Sequence, residues 1–191
     1  NYRLIPLLFL IAFLNSSCLH AEARTDTPHK GNETGFIGGI GTGKIPEGNY
    51  QPLLIIWHWG LDLKKYFSGL GNHRGSLSFF LEPQFNPAMD PDDNFEFGIG
   101  MGIQYRYPVS ERLWGYLLGS VGPHYITLVT KCQENGFIFS DTLGGGLYYF
   151  LGENTALNLG YRWRHMSNAD LGLPNGGINT NIFTLGYAFF F

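Results

Sequence analysis

The feature of this 191-residue sequence that most restricts its fold is a strict two-residue alternation between residues 95 and 107. The odd positions are all large and apolar or aromatic, whereas the even positions are glycine, polar or charged. Successive side chains of a β-strand point to opposite faces, so the segment predicts a strand with one bulky face and one small or polar face. The same alternation recurs at 53–61, 77–85 and 183–191.

The residues opposite the bulky face distinguish two kinds of β-protein. In a water-soluble sandwich, the bulky face is internal and the outer face carries lysine, glutamate and threonine. Here the opposite face is mostly glycine and small residues with a few charges of both signs, which favours a narrow closed barrel with its bulky side chains in lipid. The sandwich is the alternative. The charged or ionisable residues with inward parity are interpreted as a paired polar filling: His58, Asp62, Glu82, Glu96, Arg106, Arg162 and Arg164.

The number of such strands predicts an all-β fold, an eight-stranded antiparallel transmembrane up-and-down β-barrel. An even number of strands places both ends of the barrel on one side. The connections 108–110 and 152–154 on that side are short, and those on the other side are longer, as is typical of Gram-negative outer-membrane barrels. The strands are predicted at 35–43, 49–63, 74–86, 94–107, 111–126, 137–151, 154–168 and 178–191.

The first part of the sequence predicts a secretory signal peptide at residues 1–23, followed by the barrel domain at 24–191. An apolar run follows Arg3, and the small-x-small site Ala21-Glu22-Ala23 ends the segment. The run is too short for a membrane-spanning helix. A lipoprotein signal ending at Cys18 is the alternative.

Composition and size argue against several other classes of protein. The formal net charge of -3 gives no basic excess for nucleic acid. An eight-stranded barrel has no room for a solute channel, which argues against a porin. Cleavage after Ala23 leaves Cys132 as a single thiol, so no internal disulfide is expected.

One predicted strand breaks the apolar pattern of its outward face. Tyr161 and Trp163 continue the apolar stripe, but the next residues of the same parity are His165 and Ser167. Polar residues on a lipid face are unfavourable unless they lie near the interface or have a function. Because His165 and Ser167 are two residues apart, both side chains lie on one face of the strand, about 6.6 Å apart along it. Histidine is the usual base that activates a serine. Ordinary residues of the barrel rim are the alternative.

These residues belong to a longer pattern that resembles a known family. His165-Met166-Ser167-Asn168-Ala169 followed by Pro174-Asn175-x-Gly177, in the last hairpin of an eight-stranded barrel, resembles the lipid A 3-O-deacylases of the PagL type. The resemblance implies that Ser167 is the nucleophile and His165 the base in hydrolysis of a lipid A acyl ester. It implies no metal and no cofactor.

The sequence departs from the family at one catalytic position. The resemblance implies a glutamate twelve residues after the serine, where this chain has Asn179. Asn179 has outward parity beside His165, so we expect its amide to orient the histidine without supplying charge. Asp170 is the second candidate for that role. Backbone amides around 168–170, together with the side chain of Asn168, are expected to hold the oxyanion.

A His-Ser-Asn set also resembles outer-membrane phospholipase A, although that family has twelve strands. A phospholipase and a non-enzymatic structural barrel are therefore the alternatives to a deacylase. The expected partners are lipid A or lipopolysaccharide, the Gram-negative outer membrane and, because the chain ends in the aromatic Phe191, the barrel assembly machinery. A homodimer is left open, and no nucleic acid is expected.

Overall fold

The computed structural model describes residues 31–67 and 73–191, and the predicted signal peptide lies outside the described residues. A single 3-10 turn at Lys64–Tyr66 is the helical element within these ranges, and no helix there is long and apolar enough to cross a membrane. The strands are β1 (Glu33–Ile45), β2 (Gly48–Tyr50), β3 (Leu53–Asp62), β4 (Ser76–Ala88), β5 (Asn94–Pro108), β6 (Leu113–Ile126), β7 (Gly136–Phe150), β8 (Thr155–Ser167) and β9 (Ile178–Phe190).

The strands form one closed antiparallel barrel. Each strand from β3 to β8 pairs with the next, and β9 returns to pair with β1 from Phe190 opposite Glu33 to Thr180 opposite Gly43. β2 and β3 both pair with β1 and occupy one position in the wall. The prediction of an eight-stranded antiparallel barrel is therefore confirmed.

The second strand differs from its prediction because it is interrupted. The segment predicted as 49–63 is split between Tyr50 and Leu53 by Gln51 and Pro52. A proline has no N–H to donate to a ladder, so the regular pairing stops there. The Pro52 carbonyl still accepts a hydrogen bond of 2.8 Å from the Gly41 amide, which keeps the wall closed across the break. All the other predicted boundaries agree with the structure within two residues.

The exposure of the two faces decides between a membrane barrel and a water-soluble sandwich. The bulky face points outward, and β5 alone exposes Phe97, Ile99, Met101 and Ile103 by 40–48% each. Water-soluble proteins rarely expose a continuous apolar wall, whereas a membrane barrel requires one. The sandwich alternative is wrong, because its bulky face would be internal.

The interior is filled by paired charges, as the alternation predicts. Glu82 accepts two hydrogen bonds from the Arg162 guanidinium, at 2.6 and 2.9 Å, and its Oε1 lies 2.8 Å from Nδ1 of His58. Glu96 forms a second bidentate pair with Arg164, at 3.0 and 2.7 Å. The predicted inward residues are all buried, namely His58, Asp62, Glu82, Glu96, Arg106, Arg162 and Arg164.

The interior is less polar than the alternation alone suggests. Aromatic rings, among them Trp114, Phe150 and Phe190, fill the end of the barrel where Phe191 donates its amide to Asn32. Aliphatic side chains, among them Ile126 and Ile178, fill the opposite end. These apolar layers close both ends around the charge pairs, which makes a water-filled channel impossible in this interior.

The connections position the candidate site. At the end that carries Phe191, the turns 109–112 and 151–154 are short but the connection 63–75 is longer than the pattern of outer-membrane barrels suggests. At the far end, 127–135 and 168–177 are long and lie beside each other, with the Glu134 amide donating to the Pro174 carbonyl at 2.8 Å. The predicted catalytic strand, β8, ends at this far end.

The buried charge pairs predict a specific loss of stability. We expect Glu82→Ala to lower the free energy of unfolding by about 3–5 kcal/mol, because it leaves the Arg162 guanidinium buried without its carboxylate partner. Urea unfolding of the purified barrel in detergent, followed by tryptophan fluorescence, measures the change. Glu153→Ala in the exposed turn 151–154 is the control, with an expected change below about 0.5 kcal/mol. Equal effects of the two substitutions would contradict this account of the interior.

Candidate active site

The candidate site lies on the outward wall, at the far end of β8. Arg164 and Met166 are buried inside the barrel, whereas His165 and Ser167 lie on the opposite face and are each half-buried. This confirms the predicted parity of the pair. A base and a hydroxyl therefore share the face that contacts lipid.

His165 is held by Asn179, its partner in the neighbouring strand. The two residues are directly opposite in the β8–β9 ladder, and His165 Nδ1 lies 2.8 Å from Asn179 Oδ1. An amide oxygen only accepts hydrogen bonds, so this contact places a proton on Nδ1, and in the neutral imidazole the lone pair is then on Nε2. The indole of Trp163 is nearly parallel to the imidazole, with ring centroids 6.3 Å apart. The contact predicted between His165 and Asn179 is present.

Gly177 closes the other side of the imidazole. Its φ is +74°, a conformation that favours glycine, and a Cβ here would lie 2.5 Å from Cε1 and 3.1 Å from Nε2 of His165. Its amide donates to Oε1 of Gln133, a buried residue of the connection 127–135, at 3.1 Å. A second loop thus fixes the distance between Gly177 and the ring. Sequence reasoning missed Gln133 because it is 44 residues away from the motif.

The backbone turns sharply after Ser167. Ala169 and Asp170 have φ values of 52° and 63°, both in the left-handed region. The Asn168 amide donates to Asn175 Oδ1 at 2.9 Å, and the buried Asn168 side chain donates to the Gly172 carbonyl at 3.0 Å. The backbone amide of Asn168 and one N–H of its side chain are therefore engaged. Among the residues that the structure describes, the amides of Ala169 and Asp170 have no acceptor.

The side chain of Asp170 forms its hydrogen bond within the loop and not with His165. Its Oδ1 accepts a hydrogen bond of 2.7 Å from Nδ2 of Asn175. Asn175 thus links the residues directly after Ser167 to the far side of the loop, which explains the spacing between the two halves of the motif. Of the two candidates for the orienting role, Asn179 is the one in contact with His165.

An aspartate that the sequence analysis did not single out, Asp141, lies beside His165. Asp141 on β7 is directly opposite His165 in the β7–β8 ladder and is exposed on the same outward face. Its neighbours of equal parity, Phe139 and Leu143, are apolar. The register of β7 against β8, which no local pattern reveals, is what brings Asp141 to the site. The described residues contain no group of three or more His, Cys, Asp or Glu side chains placed to hold a metal ion.

The fold and the site together define a class of protein. A closed barrel with an apolar outer wall and a filled interior is the architecture of an integral outer-membrane barrel, and this one carries a histidine and a serine on its outward face. The family model for lipid A 3-O-deacylase (PagL) matches residues 56–188. The chain belongs to this family of enzymes, and it is a protein of the Gram-negative outer membrane. Lipid A is the substrate class that the family defines.

Solved structures show the same fold at low sequence identity. The crystal structure of the outer membrane enzyme PagL is similar with a TM-score of 0.60 and 16% identity, over 80% of this chain and 98% of that one. Neisserial surface protein A is similar with a TM-score of 0.58 and 14% identity, over 84% and 97% of the two chains. A comparison with curated protein sequences finds no match.

The close approach of Gly177 predicts a loss of activity without loss of the barrel. We expect Gly177→Ala to lower the rate of deacylation roughly tenfold or more, because the new methyl group displaces the imidazole from its contact with Asn179. Release of fatty acid from lipid A by the purified protein measures the rate. Gly152→Ala is the matched control, since its Cβ would meet Thr155 only at 3.6 Å. Equal rates for the two variants would show that Gly177 does not set the ring position.

Proposed function

We propose that this protein removes the 3-O-linked acyl chain of lipid A in the outer leaflet by a serine esterase mechanism. Ser167 is the nucleophile, His165 is the general base and Asn179 orients His165. The observation that carries the proposal is the contact of 2.8 Å between Nδ1 of His165 and Oδ1 of Asn179, on the outward face that His165 shares with Ser167. In the neutral imidazole this contact puts the proton on Nδ1 and the basic lone pair on Nε2.

The first half of the reaction forms an acyl-enzyme. Ser167 Oγ attacks the carbonyl carbon of the ester while Nε2 of His165 takes the hydroxyl proton. The tetrahedral intermediate then expels the sugar oxygen, which receives the same proton from His165. Water, activated by His165, hydrolyses the acyl-serine and releases the fatty acid.

The negative charge of the tetrahedral intermediate needs hydrogen-bond donors that are already in place. We assign this role to the amides of Ala169 and Asp170, which follow Ser167 in a left-handed turn and have no acceptor within the described residues. Asn168, which the sequence analysis expected to contribute, supports the turn through its bonds to Asn175 and Gly172. Asp170 contributes its amide, while its carboxylate bonds to Asn175.

The location of the site suits an ester in a lipid. The ester groups of a membrane lipid lie between the headgroups and the hydrocarbon, near the ends of the barrel strands. A site on the outward wall reaches such an ester from the side, so lipid A need not leave the membrane. The acyl chain then lies along the apolar wall below the site, beside Tyr161 and Trp163.

The two central residues give a direct test. We expect Ser167→Ala and His165→Ala each to lower deacylation by about 10⁴-fold or more, since each removes a member of a unit that acts together. Mass spectrometry of lipid A from cells that express each variant measures the loss of one 3-hydroxyacyl chain. Heat-dependent mobility on a gel shows that the barrel is folded. Undiminished deacylation by folded Ser167→Ala would refute the mechanism.

The orienting amide gives a graded test. We expect Asn179→Ala to lower the rate by less than Ser167→Ala does. His165 can still act as the base, but it loses the hydrogen bond that fixes its tautomer. Asn179→Glu restores the acidic partner that the family resemblance implies and should support activity. A fully active Asn179→Ala would move the orienting role to another residue.

The same contact favours a second candidate substrate. An amide in the third position resembles outer-membrane phospholipase A, so glycerophospholipid is the competing ester. The purified protein should be offered lipid A and glycerophospholipid separately in detergent micelles. Hydrolysis of phospholipid with lipid A left intact would reassign the enzyme as a phospholipase.

A further inference from the structure

We infer that Asp141 is a positioning residue of this site that acts through His165 and supplies the negative charge that Asn179 lacks. The inference rests on the proposed function and deepens it. The family resemblance assigns both orientation of the histidine and stabilisation of its positive charge to one glutamate. In this chain, Asn179 orients His165 and Asp141, on the opposite side, stabilises the charge.

The first observation is where Asp141 lies on the barrel. It is exposed on the outward face of β7, where its neighbours of equal parity are Phe139 and Leu143. A carboxylate on the lipid-facing wall destabilises a barrel, because its charge loses hydration near hydrocarbon. No requirement of the fold explains an aspartate here, since an apolar residue would pack equally well against lipid.

The second observation is the row of residues across three strands. Asp141 on β7, His165 on β8 and Asn179 on β9 are directly opposite one another in consecutive ladders. All three point outward. Side chains directly opposite on adjacent strands have Cβ atoms about 4.5–5.5 Å apart. The imidazole therefore lies between a carboxylate and an amide.

The two flanking groups differ in what they do. Asn179 occupies Nδ1 through its contact of 2.8 Å and so fixes the tautomer and the ring angle. An amide is neutral, however, and stabilises an imidazolium poorly. When His165 takes the proton of Ser167, its imidazole becomes positively charged. The carboxylate of Asp141 on the adjacent strand attracts this charge.

A lysine on the far side of Asn179 makes a carboxylate more necessary. Lys44 is exposed on the outward face of β1, next to Gly43, which pairs with Thr180 on β9. It therefore lies on the far side of Asn179 from His165. A cation there disfavours a second positive charge at the histidine, and Asp141 offsets it from the opposite side.

Removal of the charge tests the inference. We expect Asp141→Asn to lower kcat for lipid A by about tenfold to a hundredfold with KM nearly unchanged, because the charge is needed only once the imidazolium forms. The melting temperature should not fall, since the substitution removes a charge from the lipid face. Asp93→Asn, in the exposed connection 89–93, makes the same chemical change and should leave kcat unchanged. Asp141→Glu keeps the charge and should retain most of the activity.

Transposing the charge provides the sharper test. In the Asp141→Asn background, Asn179→Glu returns a carboxylate to the other side of His165, and we expect it to recover most of the lost kcat. An unimpaired Asp141→Asn, or a folded double variant as slow as Asp141→Asn alone, would overturn the inference. The proposed function fails separately, through activity in Ser167→Ala, so the two failures are distinguishable.

Discussion

The structure depends on the pairing of β9 with β1. In hydrocarbon, every backbone N–H and C=O must find a partner within the protein, so a sheet can cross a membrane only when it has no free edge. The ladder from Glu33–Phe190 to Gly43–Thr180 removes that edge. Once the sheet is closed, each residue faces either lipid or a narrow interior. The two-residue alternation, the bulky outer wall and the buried charges all follow from this one closure.

Closure also determines what the interior can do. The inward charged side chains are buried, and carboxylates pair with guanidinium groups, as in Glu82 with Arg162 and Glu96 with Arg164. Apolar layers close both ends around these pairs. The interior is therefore structural, and the proposed active site lies on the outside. Polar side chains on the lipid face become the informative exceptions, and Asp141, His165, Ser167 and Asn179 lie together there.

The fold was predictable because the alternation reports the face of each residue directly. The parity of His165 and Ser167, and the contact of His165 with Asn179, followed from the same count along adjacent strands. Local signals did not reveal the break at Pro52, since one proline is compatible with a continuous strand at an edge or a bulge. They also did not reveal that Asn168 binds Asn175 and Gly172 through its backbone amide and its side chain. Asp141 and Gln133 could not be found in this way, because their place at the site depends on strand register and on contact between two loops.

The central claim is that an outward-facing serine performs the chemistry, and covalent labelling tests it most directly. An alkyl fluorophosphonate phosphonylates a serine only where a neighbouring base activates the hydroxyl. The account predicts that the folded barrel incorporates one label, that peptide mass spectrometry places it on Ser167, and that deacylation is lost in proportion to labelling. Inactivation with the label on any other residue would contradict the account, as would full activity of a protein labelled completely at Ser167.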